Sequence, residues 1–364
     1  MQVTFNVRNA RELQSFFSQG LVDFLDFLIL KHNVLIIANN VEVYSHYSLE
    51  VISREDFTEN VCVRVDRNYF MSLISDGVVN LFVGENNNVE LTIKPTRGGE
   101  YNMYSTYQAS DISTIYSRLE LMENSGNFVP INLFKVERAL KVIKNLTSVI
   151  NVNNGMVVVE LKGMQLYYKA GCENFNLDTN VANFLLKFSD DVYGYQNFII
   201  GRGQDTVIIA KQSRASIESD LSMVLREKYS HKLKTKLSNV CNLVKSCGFT
   251  DTIVLDFEQE VARVVEGSIR FSAKFKVDSD VESINAKRSE ISGLEELTLG
   301  SAVPVELGSV HAIPTLVFPT KVLKDVVGAI TNDFITIKIK RTFVQLELEN
   351  GTFIVVIRRK DFAA

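Results

Sequence analysis

Along the chain of 364 residues, hydrophobic and polar positions follow two periods in a fixed order. A short stretch of period two precedes about three turns of period 3.6, and two period-two stretches separated by a polar turn follow. This order recurs six times. The first copy runs from VTFNVR through a helix in NARELQSFFSQG to strands in LILKHNVLIIANNVEVYSHYSL, broken at Lys31 to Asn33 and at Asn39 to Asn40. The second reads VCVRVDRNYFMSLISDG and then VVNLFVGENNNVELTIK, with Asn86 to Asn88 as its hairpin turn. The third is FVPINLFKVERALKVIKNL followed by SVINVNNGMVVVELKGMQLYYKAG, where Asn153-Asn154-Gly155 is a strong turn signal. The fourth is FNLDTNVANFLLKFSDDV with YQNFIIGRGQDTVIIAKQ. In the fifth a helix is expected over HKLKTKLSNVCNLVKSCG, with Leu233, Leu237, Val240, Val244 and Cys247 on one face, before TIVLDFEQEVARVVEGSIRFSAKF. The sixth is LVFPTKVLKDVVGAITN, with Leu323, Val326, Val327 and Ile330 as the buried face. FITIKIKRTFVQLELENGTFIVVIRRK follows, turning at Asn350-Gly351.

Joining the copies in pairs predicts an α+β protein of three similar domains, residues 1–126, 127–222 and 223–364, with helices in one layer and strands in another. The boundaries fall in polar stretches near 124–127 and 218–226, read as connectors. The charged stretch from Val277 to His311 fits no copy and reads as an enlarged loop between the fifth and sixth. Gly201-x-Gly203 is followed directly by the strand TVIIA, so it is a hairpin turn and not a phosphate loop.

Composition adds exclusions. With 46% hydrophobic and 23% charged residues the chain reads as globular. Its longest apolar stretch, Phe24 to Leu30, is cut by Asp26 and falls well short of the roughly 20 residues that span a bilayer. The N-terminus has no apolar segment behind a basic start, so a cytoplasmic protein is expected. Cys62, Cys172, Cys241 and Cys247 show no CxxC spacing and read as reduced thiols. His32, His46, His231 and His311 form no ligand motif, and no nucleophile, base or carboxylate pair recurs at a turn. Neither a metal nor another cofactor is expected, and the chain does not read as an enzyme.

Charge changes the picture more. The protein is acidic overall, with net charge −4. The six helix windows (8–19, 66–76, 132–145, 179–190, 227–246 and 319–331) nevertheless hold 15 Lys and Arg against 7 Asp and Glu, a net +8, leaving −12 on everything else. In the third helix Leu133, Val136, Leu140 and Ile143 fall on one side while Lys135, Arg138, Lys141 and Lys144 spread across the other. Lys321 and Lys324 lie opposite the apolar stripe of the sixth. Lys232, Lys234, Lys236 and Lys245 flank that of the fifth. Arg8, Arg11, Arg67 and Lys187 complete the set. If the copies sit side by side, the helices present a basic surface suited to a polyanion.

The six-copy plan, the chain length, MVVVELKGMQLYY in the third copy and the last strand FIVVIRRK resemble the sliding-clamp family, specifically the three-domain bacterial beta clamp. The likeness covers the whole chain. Arg358 stands where the family has a proline, and Asp361 to Ala364 run past the last strand; a divergent, phage-type clamp fits these departures. The resemblance implies a DNA-clamp fold with helices inside and sheets outside, and a homodimer ring around double-stranded DNA held without base readout. It also implies that a DNA polymerase and a clamp loader are engaged through short peptides. By position, their groove would include Gly163, Met164, Leu166, Val355, Ile357 and Arg359. The rival readings are a monomeric clamp-like DNA-binding cofactor for polymerase or transcription, and a β-rich viral assembly protein.

Overall fold

The computed structural model describes residues 1–18, 22–55, 60–84, 88–105, 112–123, 127–143, 146–161, 164–213, 221–246, 250–266, 269–278, 315–320, 322–328 and 334–358. Most of the expected enlarged loop from Val277 to His311 lies outside these residues, as do Asn86 and Asn87 of the expected second hairpin turn, Ile330 and the last residues Asp361 to Ala364. Each of the six copies is a strand, a helix and three strands, one strand more than the general pattern predicts, although the two breaks in the first copy already divide it into three. The first comprises β1 (Gln2–Val7), α1 (Ala10–Phe17), β2 (Phe24–Ile29), β3 (Asn33–Asn39) and β4 (Val43–Arg54). The second is β5 (Val61–Asp66), α2 (Arg67–Leu73), β6 (Gly77–Val83), β7 (Val89–Pro95) and β8 (Tyr101–Ser105). A helix outside the repeat, α3 (Ile112–Glu123), comes next. The third copy has β9 (Val129–Pro130), a 3-10 turn (Leu133–Val136) leading into α4 (Glu137–Ile143), β10 (Val149–Asn153), β11 (Met156–Leu161) and β12 (Met164–Lys169). The fourth has β13 (Phe175–Asp178), α5 (Thr179–Phe188), β14 (Asp191–Tyr195), β15 (Phe198–Arg202) and β16 (Thr206–Lys211). A second extra helix, α6 (Leu221–Arg226), precedes the fifth copy. That copy is β17 (Tyr229–Lys236), α7 (Ser238–Ser246), β18 (Thr252–Asp256), β19 (Val261–Glu266) and β20 (Ile269–Lys274), and it adds β21 (Lys276–Asp278). The sixth is β22 (Leu316–Pro319), α8 (Val322–Val327, wound as a π-helix), β23 (Phe334–Lys340), β24 (Phe343–Leu348) and β25 (Phe353–Arg358).

Local chemistry explains where these elements begin. Asn9, Asp66 and Asp178 stand at the same point of three copies, between opening strand and helix. Each side chain accepts from a free amide of the first turn, at 3.1 Å from Glu12 N, 3.0 Å from Tyr69 N and 2.8 Å from Asn180 N. Asn154 and Gly155 have φ of 50° and 73° between the paired residues Asn153 and Met156, the two left-handed positions of a tight hairpin. At Asn350-Gly351 the turn is wider: residues 349–351 form a 3-10 turn between the paired Leu348 and Phe353.

The chain divides into two compact units, Met1–Glu137 with Phe175–Arg214, and Arg138–Asn174 with Ala215–Ala364. In the first unit the strands run β8-β7-β6-β1-β4-β16-β15-β14-β9, with β3 also on β4, β2 on β3, and β5 on β2. One face carries α1, α2 and α5. There Phe16 meets Phe184, Phe188 and Tyr47 at ring-centroid distances of 5.0, 5.1 and 5.9 Å, and Phe27 meets Phe70 at 5.1 Å. The other face carries α3, whose Ile115 is buried among Leu28, Leu35, Ile37, Tyr44, Ile200, Val207 and Ile209. In the second unit one sheet contains β10-β11-β12-β25-β24-β23-β17-β21 and another is β20-β19-β18-β22. There α6 does what α3 does in the first: Val224 packs on Val158, Tyr167, Ile354 and Val356. Lys340 Nζ donates to Val224 O, and the Glu227 carboxylate accepts from Thr342 N at 3.0 Å and Thr342 Oγ1 at 2.6 Å.

The structure departs from two further expectations. In the stretch read as a polar connector near 218–226, residues 221–226 form the helix α6 and bury Val224, while 218–220 lie outside the described residues. The fifth copy's helix does not begin at His231. Residues 229–236 form its opening strand, β17, and the helix starts at Ser238. Leu233 and Leu237 satisfy helical spacing with Val240 and Val244. They equally satisfy period two with Thr235, and the open edge of β23 decides in favour of a strand, since β17 pairs along its length from Lys232↔Lys338 to Lys236↔Phe334.

Two groups in the first unit carry stability consequences. Asp26, which interrupts the apolar run of β2, is buried and takes Arg64 Nε at 2.8 Å and Nη2 at 3.1 Å. Arg64→Ala should destabilise the protein by on the order of 3 kcal/mol in urea unfolding, because it removes the guanidinium that donates to both oxygens of a buried carboxylate. His46, buried on β4 with Nδ1 2.9 Å from Tyr44 Oη, has its pKa lowered by burial to about 4. The folded state resists a proton that the unfolded chain takes up near pH 6.5. Its contribution is therefore complete above about pH 6.5 and is lost as pH falls toward 4, by roughly 3 kcal/mol. His46→Gln should flatten that part of the curve of unfolding free energy against pH.

Candidate nucleic-acid interface

The amphipathic pattern that folds each helix onto a sheet leaves its polar stripe on the opposite side. In the first unit Arg11 on α1, Lys135 on the 3-10 turn and Lys187 on α5 are exposed on that stripe. Lys187 Nζ donates to Ser15 Oγ of α1 and lies 4.9 Å from the centroid of the Phe188 ring, so the cations of α1 and α5 share one surface. Arg67 is more tied down. Its Nη1 donates to Phe17 O at the end of α1 at 3.4 Å and its Nη2 to Asn68 Oδ1 at 3.0 Å. Arg8, just before α1, forms an exposed pair with Glu50 at 3.2 Å, of the kind worth little in water.

In the second unit Arg138 and Lys141 on α4, Lys245 on α7 and Lys324 on α8 are likewise exposed on helices. Arg138 is held by the Glu349 carboxylate. The helices α7 and α8 are neighbours, with Cys241 Sγ 3.6 Å from Leu323 O. Lys144 and Lys321 lie outside the described residues, as does Cys247.

Lys232, Lys234 and Lys236 go elsewhere. They project from β17 on the face opposite buried Leu233 and Thr235. Register carries that face across the sheet, from Lys234 through Thr336 and Glu347 to Ile354 and Tyr167, under α6. The other face, with Leu233, Ile337, Leu346 and Val355, holds Tyr168 stacked on Phe353 at 4.6 Å, beside Arg138 of α4. The three lysines thus leave the helix surface and join the outer face.

The same register bears on the expected peptide groove. Leu166 pairs with Val355 and Met164 with Ile357, and all four side chains are buried. They are part of the buried core at the β12 and β25 junction. Gly163 and Arg359 lie outside the described residues.

Among the described residues no three potential metal ligands converge. Burial pushes the Cys62 thiol up to about 12, with Asp26 adding to the effect, which leaves it unreactive near neutral pH. The helix surface offers flexible ammonium and guanidinium groups. Such groups fit phosphate binding without sequence readout.

Among solved structures the chain resembles a putative DNA polymerase III beta subunit from Eubacterium rectale, with TM-score 0.66, 8% identity and 98% of each chain covered. DNA polymerase III subunit beta from Borrelia burgdorferi gives TM-score 0.65 at 11% identity, covering 98% of this chain and 97% of that one. The Helicobacter pylori beta clamp bound to a DNA ligase peptide gives 0.65 at 11%, covering 98% and 99%. No protein-family model and no curated protein matches the sequence. The chain therefore has the sliding-clamp fold. More particularly, that fold is the one seen in the bacterial DNA polymerase III beta subunit.

Reversing Arg11 and Lys187 to Glu should weaken binding to short duplexes equally for any sequence, and lower the slope of log K against log salt by about 1 for each phosphate no longer neutralised. Lys232→Gln with Lys234→Gln, on the outer face, should leave both quantities unchanged. Fluorescence anisotropy over a salt series measures the difference.

Proposed function

We propose that the protein is a DNA sliding clamp that encircles duplex DNA and tethers a replicative polymerase. The observation that supports this best is the placement of cations. In each unit, basic side chains stand on the helices of a chain whose fold matches bacterial clamps along 98% of its length. In this reading the three expected domains, 1–126, 127–222 and 223–364, persist as pairs of copies. The exchange of opening strands supports them: β1 pairs with β6 of the next copy, β17 with β23, and β22 with β18.

Strand edges support closure into a ring of two copies. Within the first unit β4 pairs with β16, and within the second β12 pairs with β25, so final strands of copies join to one another. Among the described residues, β8 forms a ladder only with β7 and β20 only with β19. These are final strands as well, and β8 carries the exposed Tyr101 and Tyr104. Head-to-tail pairing of β8 with β20 of a second copy would satisfy both edges by the same rule. The Helicobacter pylori clamp was solved with a DNA ligase peptide. We extend from it that polymerase and loader reach this protein through short peptides.

Negative-stain electron microscopy of the purified chain should show closed two-subunit rings with a hole wide enough for duplex DNA. Loaded onto nicked circular plasmid, the protein should survive a high-salt wash and be released when the plasmid is linearised. Particles without a hole, with equal loss from circles and linear DNA as salt rises, would replace the ring by a monomeric charge-only cofactor.

A further inference from the structure

The second unit contains a cavity of about 420 Å³ that the DNA-encircling role leaves unused. It is lined by Lys236, Ser238, Asn239, Lys274, Phe275, Lys276, Val277 and Phe334, at the point where β17, β21 and β23 end beside the start of α7. Its size lies within the range of about 300–1,000 Å³ typical of sites for small ligands or single peptide anchors. The wall is apolar where Phe275, Val277 and Phe334 contribute, and about half of Phe334 is exposed. The rim is cationic. Lys236, Lys274 and Lys276 are exposed, and Lys236 is the register partner of both Phe334 and Lys276. Lys234 Nζ lies 5.2 Å from the centroid of the Phe334 ring. Among the described residues no carboxylate lines the cavity. The nearby Glu260 accepts from Val277 N at 2.8 Å, bonded to backbone, and Asp278 is the register partner of Lys234 on β21.

Backbone bonds hold this arrangement. Thr235 Oγ1 donates to Lys276 O at 2.6 Å and Asn239 Nδ2 to Lys274 O at 3.2 Å, which fixes the β20–β21 crossover that carries two of the three lysines. Three ammonium groups held around an apolar recess select an anion that brings apolar surface with it. A duplex backbone supplies the anion without the apolar part, and Lys236 faces away from the helix surface. We propose that this cavity binds a short acidic peptide segment of a partner protein, seating one aromatic or large aliphatic side chain against Phe334 and Phe275 while its carboxylates meet Lys236, Lys274 and Lys276. The proposal stands independently of ring formation.

The test is anisotropy of a fluorescein-labelled peptide, Glu-Asp-Phe-Glu-Leu-Asp, titrated with the full chain without DNA. Saturable binding is expected. It should weaken about tenfold in a Lys236→Gln, Lys276→Gln variant, in Phe334→Ser, and when Ala replaces the peptide's Phe. It should not change in Arg11→Glu with Lys187→Glu. Circular dichroism and the thermal midpoint confirm that each variant is folded; the lysines are exposed, so that pair of changes keeps the test valid if Phe334→Ser unfolds. Absence of saturable binding, equal binding by the lysine variant, or equal binding of the Ala peptide overturns the proposal. Displacement by a 12-base-pair duplex also overturns it, in favour of DNA. So does loss of self-association in the lysine variant by sedimentation, which would assign the cavity to a second copy of the chain. Ring formation on the electron microscope grid is read separately, so either idea can fail alone.

Discussion

Main-chain hydrogen bonding at strand edges is the constraint on which this architecture depends. A strand, helix and three strands bury only part of their backbone polar groups, and the final strand of each copy presents a row of unpaired amides and carbonyls. Inside the first unit that row on β4 is satisfied by β16, from Val43↔Ala210 to Tyr47↔Thr206. Inside the second, β12 is satisfied by β25, from Met164↔Ile357 to Tyr168↔Phe353. Because the joined copies then share a sheet, their helices are brought onto a common face. The Phe16, Phe184 and Phe188 cluster follows from that adjacency, as does the basic surface above it. The sheet's other face would be left wet and apolar without α3 and α6, which lay Ile115 and Val224 over it.

Much of this was legible in the sequence because it is repeated. Six alternations of period two and period 3.6 determine the copies without reference to tertiary structure. What escaped has physical causes. The apolar positions Ile112, Ile115 and Leu119 of α3 lie at helical spacing, but they occur once and outside the repeat, so periodicity alone does not distinguish them from a connector. Residues 229–236 satisfy both periods, and only a partner strand distant in sequence, β23, resolves them. Sheet continuity between copies depends on registers that no local pattern encodes, which is why each of the two compact units draws on segments far apart in sequence.

Charge is subject to the same limit. Lysines on helices are where the 3.6 period places them, and Lys141, Lys187, Lys245 and Lys324 are exposed there. Lys232, Lys234 and Lys236 carry the same charge on an element of the other period. Their side chains therefore alternate to the outer face, where Lys236 borders a recess and not the helix surface. Composition reports how many cations a segment holds. The period of the segment decides which surface receives them.

The pairing of β4 with β16 has a consequence for how the protein is made. Tyr44 and Ile209 are partners, so the first unit joins residues far apart in sequence, with residues 138–174 of the other unit lying between them along the chain. As the chain leaves the ribosome, β4 must wait with an open edge until residue 211 has been synthesised, and β12 must wait longer for β25. Such long-range ladders slow folding and expose sticky edges during translation. The architecture that ties distant copies into continuous sheets thus lengthens the time for which the nascent chain presents open edges.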